Sequence, residues 1–281
     1  NLNTLLYGNH GQKYKIMNRE LINMVGGGFQ HEVCSSAGSQ TKFMKWVKNG
    51  SASISIHIDY GIKTIPIAGK RNYAWLSESK TINGALYDWC CGNVTYLEEN
   101  FELIFTHDES LLPLSDKFKM VVCNARPWVT DFGIHPKNKL VSMVASSKVM
   151  CEDHKHRQNI IKKFTGKMDH FGRGFRAIDK KDDALRDYHF SIAMENGTYP
   201  LMYTEKISDC FAMGTIPIYW GTDRIGEIFD DNGIITLTDD FKIEDLSEEL
   251  YLSKFGSVKN NYDITINLPT AEDYIYENYI K

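Results

Sequence analysis

Short apolar runs rich in β-branched and aromatic residues alternate with stretches of helical spacing through both halves of the chain. The runs Thr4–Tyr7, His31–Cys34, Ser53–Ile58, Asn72–Leu76, Leu103–Thr106 and Met120–Cys123 are bounded by Gly, Asn or Ser and read as strands. Between them, Gln40–Val47 and Leu86–Asn100 space their apolar residues as helices do. The polar stretch Arg126–Lys139, interrupted by Pro127, Gly133 and Pro136, reads as an interdomain linker. The alternation then restarts. Leu140–Ser146, Phe190–Met194, Ile216–Trp220 and Ile234–Leu237 are predicted strands, His154–Phe164 and Thr204–Met213 predicted helices, and Thr270–Lys281 has helical character. Strand-then-helix order on both sides of a linker predicts an α/β chain of two Rossmann-like domains, each with a parallel sheet, facing a central cleft. The expected bounds are 1–136 and 137–281, with the last helix placed to pack back on the first domain.

Composition narrows the classes of function. The 281 residues suit two domains of about 100–150 residues each. A hydrophobic share of 42%, a charged share of 24% and a net charge of −4 describe an ordinary globular protein with no bulk attraction for nucleic acid. No apolar run reaches the roughly 18 residues of a membrane span, and Asn1–Lys13 lacks the basic-then-apolar order of a signal peptide. Cys34, Cys90, Cys91, Cys123, Cys151 and Cys210 show no C-x-x-C spacing and read as buried free thiols in a reducing compartment. A cytoplasmic protein is expected, with association at a membrane surface left open. The sequons at Asn49, Asn93 and Asn196 then read as chance matches.

The informative segment is KDDALRDYHFSIAMENGTYPLMYTEKISDCFAMGTIPIYWGTDRIGEIFDDNGIITLTDDF, residues 181–241. A strand ends near Met194, a loop starts at Glu195, and a helix starts after Thr204, whose side chain can cap it. Gly214 stops that helix and the strand IPIYW follows at once. Unpaired backbone N–H groups and the positive helix end favour an anion beside Glu205 and Lys206. Ligands of open α/β sheets bind at the carboxyl ends of strands, where this loop lies, so the arrangement suits a diphosphate.

This segment resembles the conserved core of the α-1,3-fucosyltransferase family, glycosyltransferase family 10, including its bacterial lipopolysaccharide members. The family pattern is a strand leading into F-E-N, a Tyr and T-E-K-[IL], a helix of small residues, and [IV]-P-[IV]-x-x-G. The matching positions are Met194, Glu195 and Asn196; Tyr203, Thr204, Glu205, Lys206 and Ile207; and Ile216, Pro217, Ile218 and Gly221. Met194 departs from the usual Phe. The resemblance implies a GT-B fold and an enzyme that moves fucose from GDP-fucose to a saccharide hydroxyl with inversion. It further implies that Lys206 pairs with the diphosphate, Glu205 and Tyr203 meet the nucleotide sugar, and Thr204, Glu195 and Asn196 shape the donor pocket. The family's phosphate-gripping Arg corresponds to Arg157 in HKHRQNIIKKF; the competing reading is a solvated basic face, shared with His154 and His156.

Inversion needs a base to deprotonate the acceptor hydroxyl, and the family places a Glu at the end of an N-domain strand. NYAWLSESK offers Glu78 there, with Asp59, Asp108 and Glu109 as other acids near strand ends. The adjacent pairs Asp182–Asp183, Asp230–Asp231 and Asp239–Asp240 read as surface turns, and with no D-x-D at a strand end no metal or other cofactor is expected. The expected partners are a nucleotide sugar and a saccharide acceptor. Two alternatives stay open: a transferase of the same fold with another donor or a non-glycan acceptor, and a non-catalytic carbohydrate- or nucleotide-binding module.

Overall fold

The computed structural model describes residues 19–27, 33–48, 50–122, 126–149 and 151–281. The first sheet holds β1 (Glu20–Gly26), β2 (Met44–Val47), β3 (Ile54–Ile58), β4 (Arg71–Trp75), β5 (Ile104–Thr106) and β6 (Phe118–Met120). Its order is β2-β1-β3-β4-β5-β6, and every pairing is parallel. The continuous run ISIHI is buried at every position, as a central parallel strand covered on both faces must be. The predicted strand Thr4–Tyr7 lies outside the described residues, as do His31, Glu32 and Cys123 of two others.

Gln40–Val47 is not a helix. Met44 and Trp46 are buried while Lys45 is exposed, a period of two that suits β2 beside β1 at the sheet edge. The predicted helix Leu86–Asn100 is two, α1 (Lys80–Gly92) and α2 (Val94–Asn100), broken at Asn93 with φ −130° and ψ 34°.

The second sheet holds β7 (Lys139–Val144), β8 (Asp169–Phe171), β9 (Tyr188–Met194), β10 (Ile216–Trp220) and β11 (Ile235–Thr236) in the order β11-β10-β9-β7-β8, again all parallel. Helices α3 (Glu152–Lys163), α4 (Glu205–Ala212), α5 (Glu248–Ser253) and α6 (Phe255–Ile266) belong to the same unit. Its core joins Val141, Met143, Phe190, Ile192, Ile216 and Ile218 with Ile160, Ile161 and Phe164.

The chain divides at Arg126, earlier than the boundary read at Pro136: Arg126–Leu268 is one unit, and Pro269–Lys281 joins the unit of the first sheet. Buried carboxylates explain the position of the break. Asp209 Oδ1 accepts the N–H groups of Trp128 at 2.6 Å and Val129 at 3.0 Å, and Asp182 Oδ1 accepts those of Thr130 at 3.0 Å and Asp131 at 2.7 Å. The stretch that reads as a linker is therefore fastened to the second sheet's unit. Asp182, expected in a surface turn, is 2% exposed.

The returning segment forms α7 (Ala271–Ile275) and a π-helical turn, Tyr276–Ile280, with Ile275 and Ile280 in the core of the first sheet. Glu272 anchors it, accepting from Ser35 N at 2.5 Å, Ser35 Oγ at 3.0 Å and Trp46 Nε1 at 3.3 Å. Asp273 accepts from Lys42 N at 2.9 Å and Phe43 N at 3.1 Å. Glu272→Ala strands buried donors and is expected to cost about 1–3 kcal/mol in chemical denaturation, with Glu272→Gln losing less. Equal stability of the alanine variant and the wild type would contradict this anchoring.

Among the cysteines, Cys34, Cys90 and Cys210 are buried free thiols, but Cys91 is exposed and Cys151 half-buried. No helix of the described residues is long and apolar enough to cross a membrane.

Candidate functional site

In the second sheet the strand order reverses between β7 and β9, so the loops leaving their carboxyl ends turn to opposite faces and open a crevice. The residues that enter it follow from local backbone. Glu195 N donates to Trp220 O at 2.9 Å, which extends the β9 ladder one residue past Met194. The Glu195 side chain is thereby buried, 1% exposed, against the start of α4. Its Oε1 accepts Thr204 N at 2.9 Å and its Oε2 accepts Thr204 Oγ1 at 2.7 Å. Thr204 in turn caps α4, accepting Lys206 N at 3.4 Å.

Charges of both signs close the cluster. Lys206 Nζ lies 3.3 Å from Glu195 Oε2 and 3.8 Å from Glu205 Oε1, and donates to Thr204 Oγ1 at 2.9 Å. Lys181 Nζ lies 3.3 Å from Glu205 Oε1 and forms a second ion pair with Asp209. Burial alone would raise the Glu205 carboxyl, but Lys206 and Lys181 outweigh it and bring the pKa down to about 2. Burial opposes the Lys206 ammonium as well, and Glu205 with Glu195 reverses that, so its pKa is raised. Asp209 is shifted upward because burial, helped by Glu205, exceeds the pull of Lys181.

Arg157 stands apart from those carboxylates. It is 6% exposed, which excludes a solvated basic face. Its guanidinium donates to Asn196 Oδ1 at 3.3 Å and to Lys148 O at 3.4 Å, and Nε is buried with no partner. Among the described residues, no carboxylate lies within ion-pair distance of it. Burial draws its pKa down. His154, expected on an exposed face, is also buried, with Nε2 3.1 Å from Asn196 Oδ1. Burial and the neighbouring Arg157 lower its pKa and favour the neutral ring. A buried guanidinium facing only neutral oxygens is poised to take an anion, since its forked donors match a phosphate or carboxylate.

Backbone constraints shape the walls. A Cβ at Gly221 would sit 2.2 Å from Tyr219 Oη and 2.9 Å from Glu195 Cγ, so a side chain there would displace the buried carboxylate. Leu201 holds φ 55°, a strained conformation for a bulky residue, in the loop that delivers Tyr203 and Thr204. The Tyr203 ring is 3% exposed and packs edge-on against Phe229 with centroids 5.3 Å apart, an apolar seat below the charged cluster.

Glu195, Thr204 and Lys206 are thus connected through hydrogen bonds and Glu205 through ion pairs, while Arg157 and His154 share Asn196, the chain neighbour of Glu195. Lys181 and Asp209 are additional members that sequence reading missed; a single Lys or Asp ahead of a strand or inside a helix carries no motif. In the other unit, Glu78 is exposed in the loop between β4 and α1, its carboxylate accepting Ser79 N at 2.9 Å. Asp108 is committed elsewhere, bonded to Lys80 Nζ at 3.0 Å and to Ser110 N at 2.9 Å.

Residues 134–263 match the family model described as glycosyltransferase family 10 (fucosyltransferase), C-terminal. This segment is a family 10 domain. The match encloses every member of the charged cluster, and the residues of the F-E-N and T-E-K pattern are those at the carboxyl end of β9 and the start of α4. The α-(1,3)-fucosyltransferase FucT of Helicobacter pylori is 27% identical over 104 residues, which is 36% of this chain and 22% of that protein. The alignment therefore spans about a fifth of the relative's length. A crystal structure of an α1,3-fucosyltransferase superposes with a TM-score of 0.52 at 16% identity, covering 93% of this chain and 84% of the other. An α1,3-fucosyltransferase solved with GDP gives a TM-score of 0.52 at 14% identity, covering 95% of this chain and 94% of the other. At such identities the likeness is one of fold: two parallel-sheet α/β units of the GT-B class, one of them the family 10 domain.

Proposed function

We propose that this protein is an inverting fucosyltransferase that moves fucose from GDP-fucose to a saccharide hydroxyl. The observation that carries the reading is the buried, carboxylate-free Arg157, bonded to Asn196, which directly follows Glu195 of the Glu195–Thr204–Lys206 cluster in the chain, at the switch point of a family 10 domain. Arg157 and Lys206 receive the diphosphate, and the start of α4 adds its N-terminal N–H groups. Glu205, held ionised by Lys181 and Lys206, accepts from ribose hydroxyls, while Glu195 and Asn196 fix the pocket wall. Tyr203 supports the nucleotide-sugar side of that wall.

In the transfer the bond from C1 of the β-linked sugar to phosphate oxygen breaks as the acceptor oxygen bonds to C1 from the opposite face. GDP leaves with the electron pair, its charge met by the two cations, so the reaction as drawn uses no divalent ion. The acceptor proton passes to Glu78. The test is calorimetric titration of the full chain with GDP, UDP, TDP, ADP and CMP, and of Lys206→Ala with the preferred one. Selective GDP binding that weakens roughly tenfold or more in the variant, a loss of about 1.4 kcal/mol, is expected. Preference for another nucleotide would remove fucose from the reading, and no binding at all would leave a non-catalytic module.

A further inference from the structure

Glu78 is gripped on both sides of its backbone. Its N–H donates to Asp59 Oδ1 at 3.1 Å, and its carbonyl accepts the Tyr87 hydroxyl at 2.8 Å. Asp59 Oδ1 also accepts Ser77 N at 2.9 Å, and Oδ2 accepts Ser77 Oγ at 2.9 Å. One carboxylate at the end of β3 therefore fixes two successive N–H groups at the end of β4.

Asp59 does this from a left-handed conformation, φ 48°, which a residue with a side chain adopts at a cost in strain. The surroundings over-determine that conformation. His57 Nδ1 lies 3.0 Å from Gly61 O, and Thr64 N donates to the same carbonyl at 3.0 Å. A Cβ on Gly61 would meet Val25 O at 2.3 Å, so only glycine lets the turn Asp59–Lys63 close against β1. Strain held this firmly at the carboxyl edge of a sheet is the kind that serves a site. Beside it, Asp108 and its Lys80 partner hold the start of α1 to the end of β5.

We propose that Asp59 is a positioning residue for the transfer: its carboxylate holds the Ser77–Glu78 backbone so that the Glu78 side chain leaves the sheet edge in the direction its proton transfer requires. Asp59 does not itself take the proton, because both of its oxygens are engaged by Ser77 and Glu78. The proposal rests on Glu78 being the base. It assigns a role to a residue type that a pure backbone turn would fill with Gly or Asn.

The experiment uses the full chain and follows GDP released from GDP-fucose with water as the accepting hydroxyl, alongside GDP affinity and thermal melting. Asp59→Asn keeps an Oδ1 acceptor for both N–H groups, and its kcat is expected to stay within about threefold of wild type. Asp59→Gly tolerates the left-handed backbone but has no acceptor, and Asp59→Glu keeps the charge but moves the oxygens by one methylene. Both are expected to lose about tenfold to a hundredfold in kcat with KM for GDP-fucose and GDP affinity unchanged. The glutamate variant serves where the glycine variant does not fold. Wild-type turnover in both, with Glu78→Gln inactive, overturns the positioning role and leaves the base standing. An Asp59→Asn enzyme as inactive as Glu78→Gln overturns it too, because the charge of Asp59 would then be chemical. Wild-type turnover in Glu78→Gln, or none in the wild type while GDP still binds, removes the function on which the proposal rests.

Discussion

Glu195→Ala is expected to lower the stability of the family 10 domain by about 3 kcal/mol, a fall in melting midpoint of roughly 10 °C. The side chain is 1% exposed and its two oxygens receive Thr204 N, Thr204 Oγ1 and Lys206 Nζ. Truncation leaves the Lys206 ammonium with Glu205 alone, a carboxylate it shares with Lys181, which keeps its own pair with Asp209, and it removes the group that holds the α4 cap in place. Removing one partner of a buried pair costs about 3–5 kcal/mol; Lys206 keeps 22% of its side-chain surface in solvent, so the lower figure applies. Glu195→Gln retains an oxygen for Thr204 N and is expected to lose less than half as much. Nucleotide affinity is expected to fall in both variants, because Lys206, the proposed diphosphate partner, is released from its fixed position. Differential scanning calorimetry with and without GDP separates the two effects, and an alanine variant as stable as wild type would remove Glu195 from the centre of the cluster.

The two α/β units were legible because buried parallel strands write themselves as continuous apolar runs: ISIHI, YHFSIAM and IPIYW all stand where expected. Two elements at sheet edges, β2 and β8, were not, although the edge strand β11 lies inside the predicted Ile234–Leu237. MKWV carries a half-buried period of two within only four residues, and DHF is three residues long, too short for any period to register. β1 went unread because ELINMVG places Glu20 and Asn23 inside the run, and Asn23 is buried for a side-chain bond to Gly50 N at 3.0 Å. The same logic divides the site. Glu195, Asn196 and the Thr204–Lys206 run sit consecutively beside a strand end and a helix start, so sequence order already brings them together. Lys181 and Asp209 meet only through the fold, across 28 positions of chain that hold β9 and the start of α4, and nothing local marks either one. Arg157 was visible as a charge but not as a buried one: three lysines and two histidines around it suggested a solvated helix face, and only packing shows which positions of α3 turn inward.

Glu78→Gln is expected to reduce kcat by about a hundredfold to ten-thousandfold, or about 3–5 kcal/mol of barrier, with GDP affinity unchanged. Glutamine keeps the length of the side chain and an oxygen for Ser79 N, the bond that glutamate makes at 2.9 Å, so the loop geometry survives. It also leaves untouched the backbone bonds to Asp59 and Tyr87. What disappears is the capacity proposed for Glu78, to take the proton of the attacking hydroxyl as its oxygen bonds to C1. Asp108→Asn provides the contrast: its carboxylate is bound to Lys80 and Ser110, so loss of its charge is expected to loosen the start of α1 and lower stability more than it lowers kcat. Near-normal transfer by Glu78→Gln at neutral pH, measured with GDP-fucose and a saccharide panel, would move the base to another carboxylate.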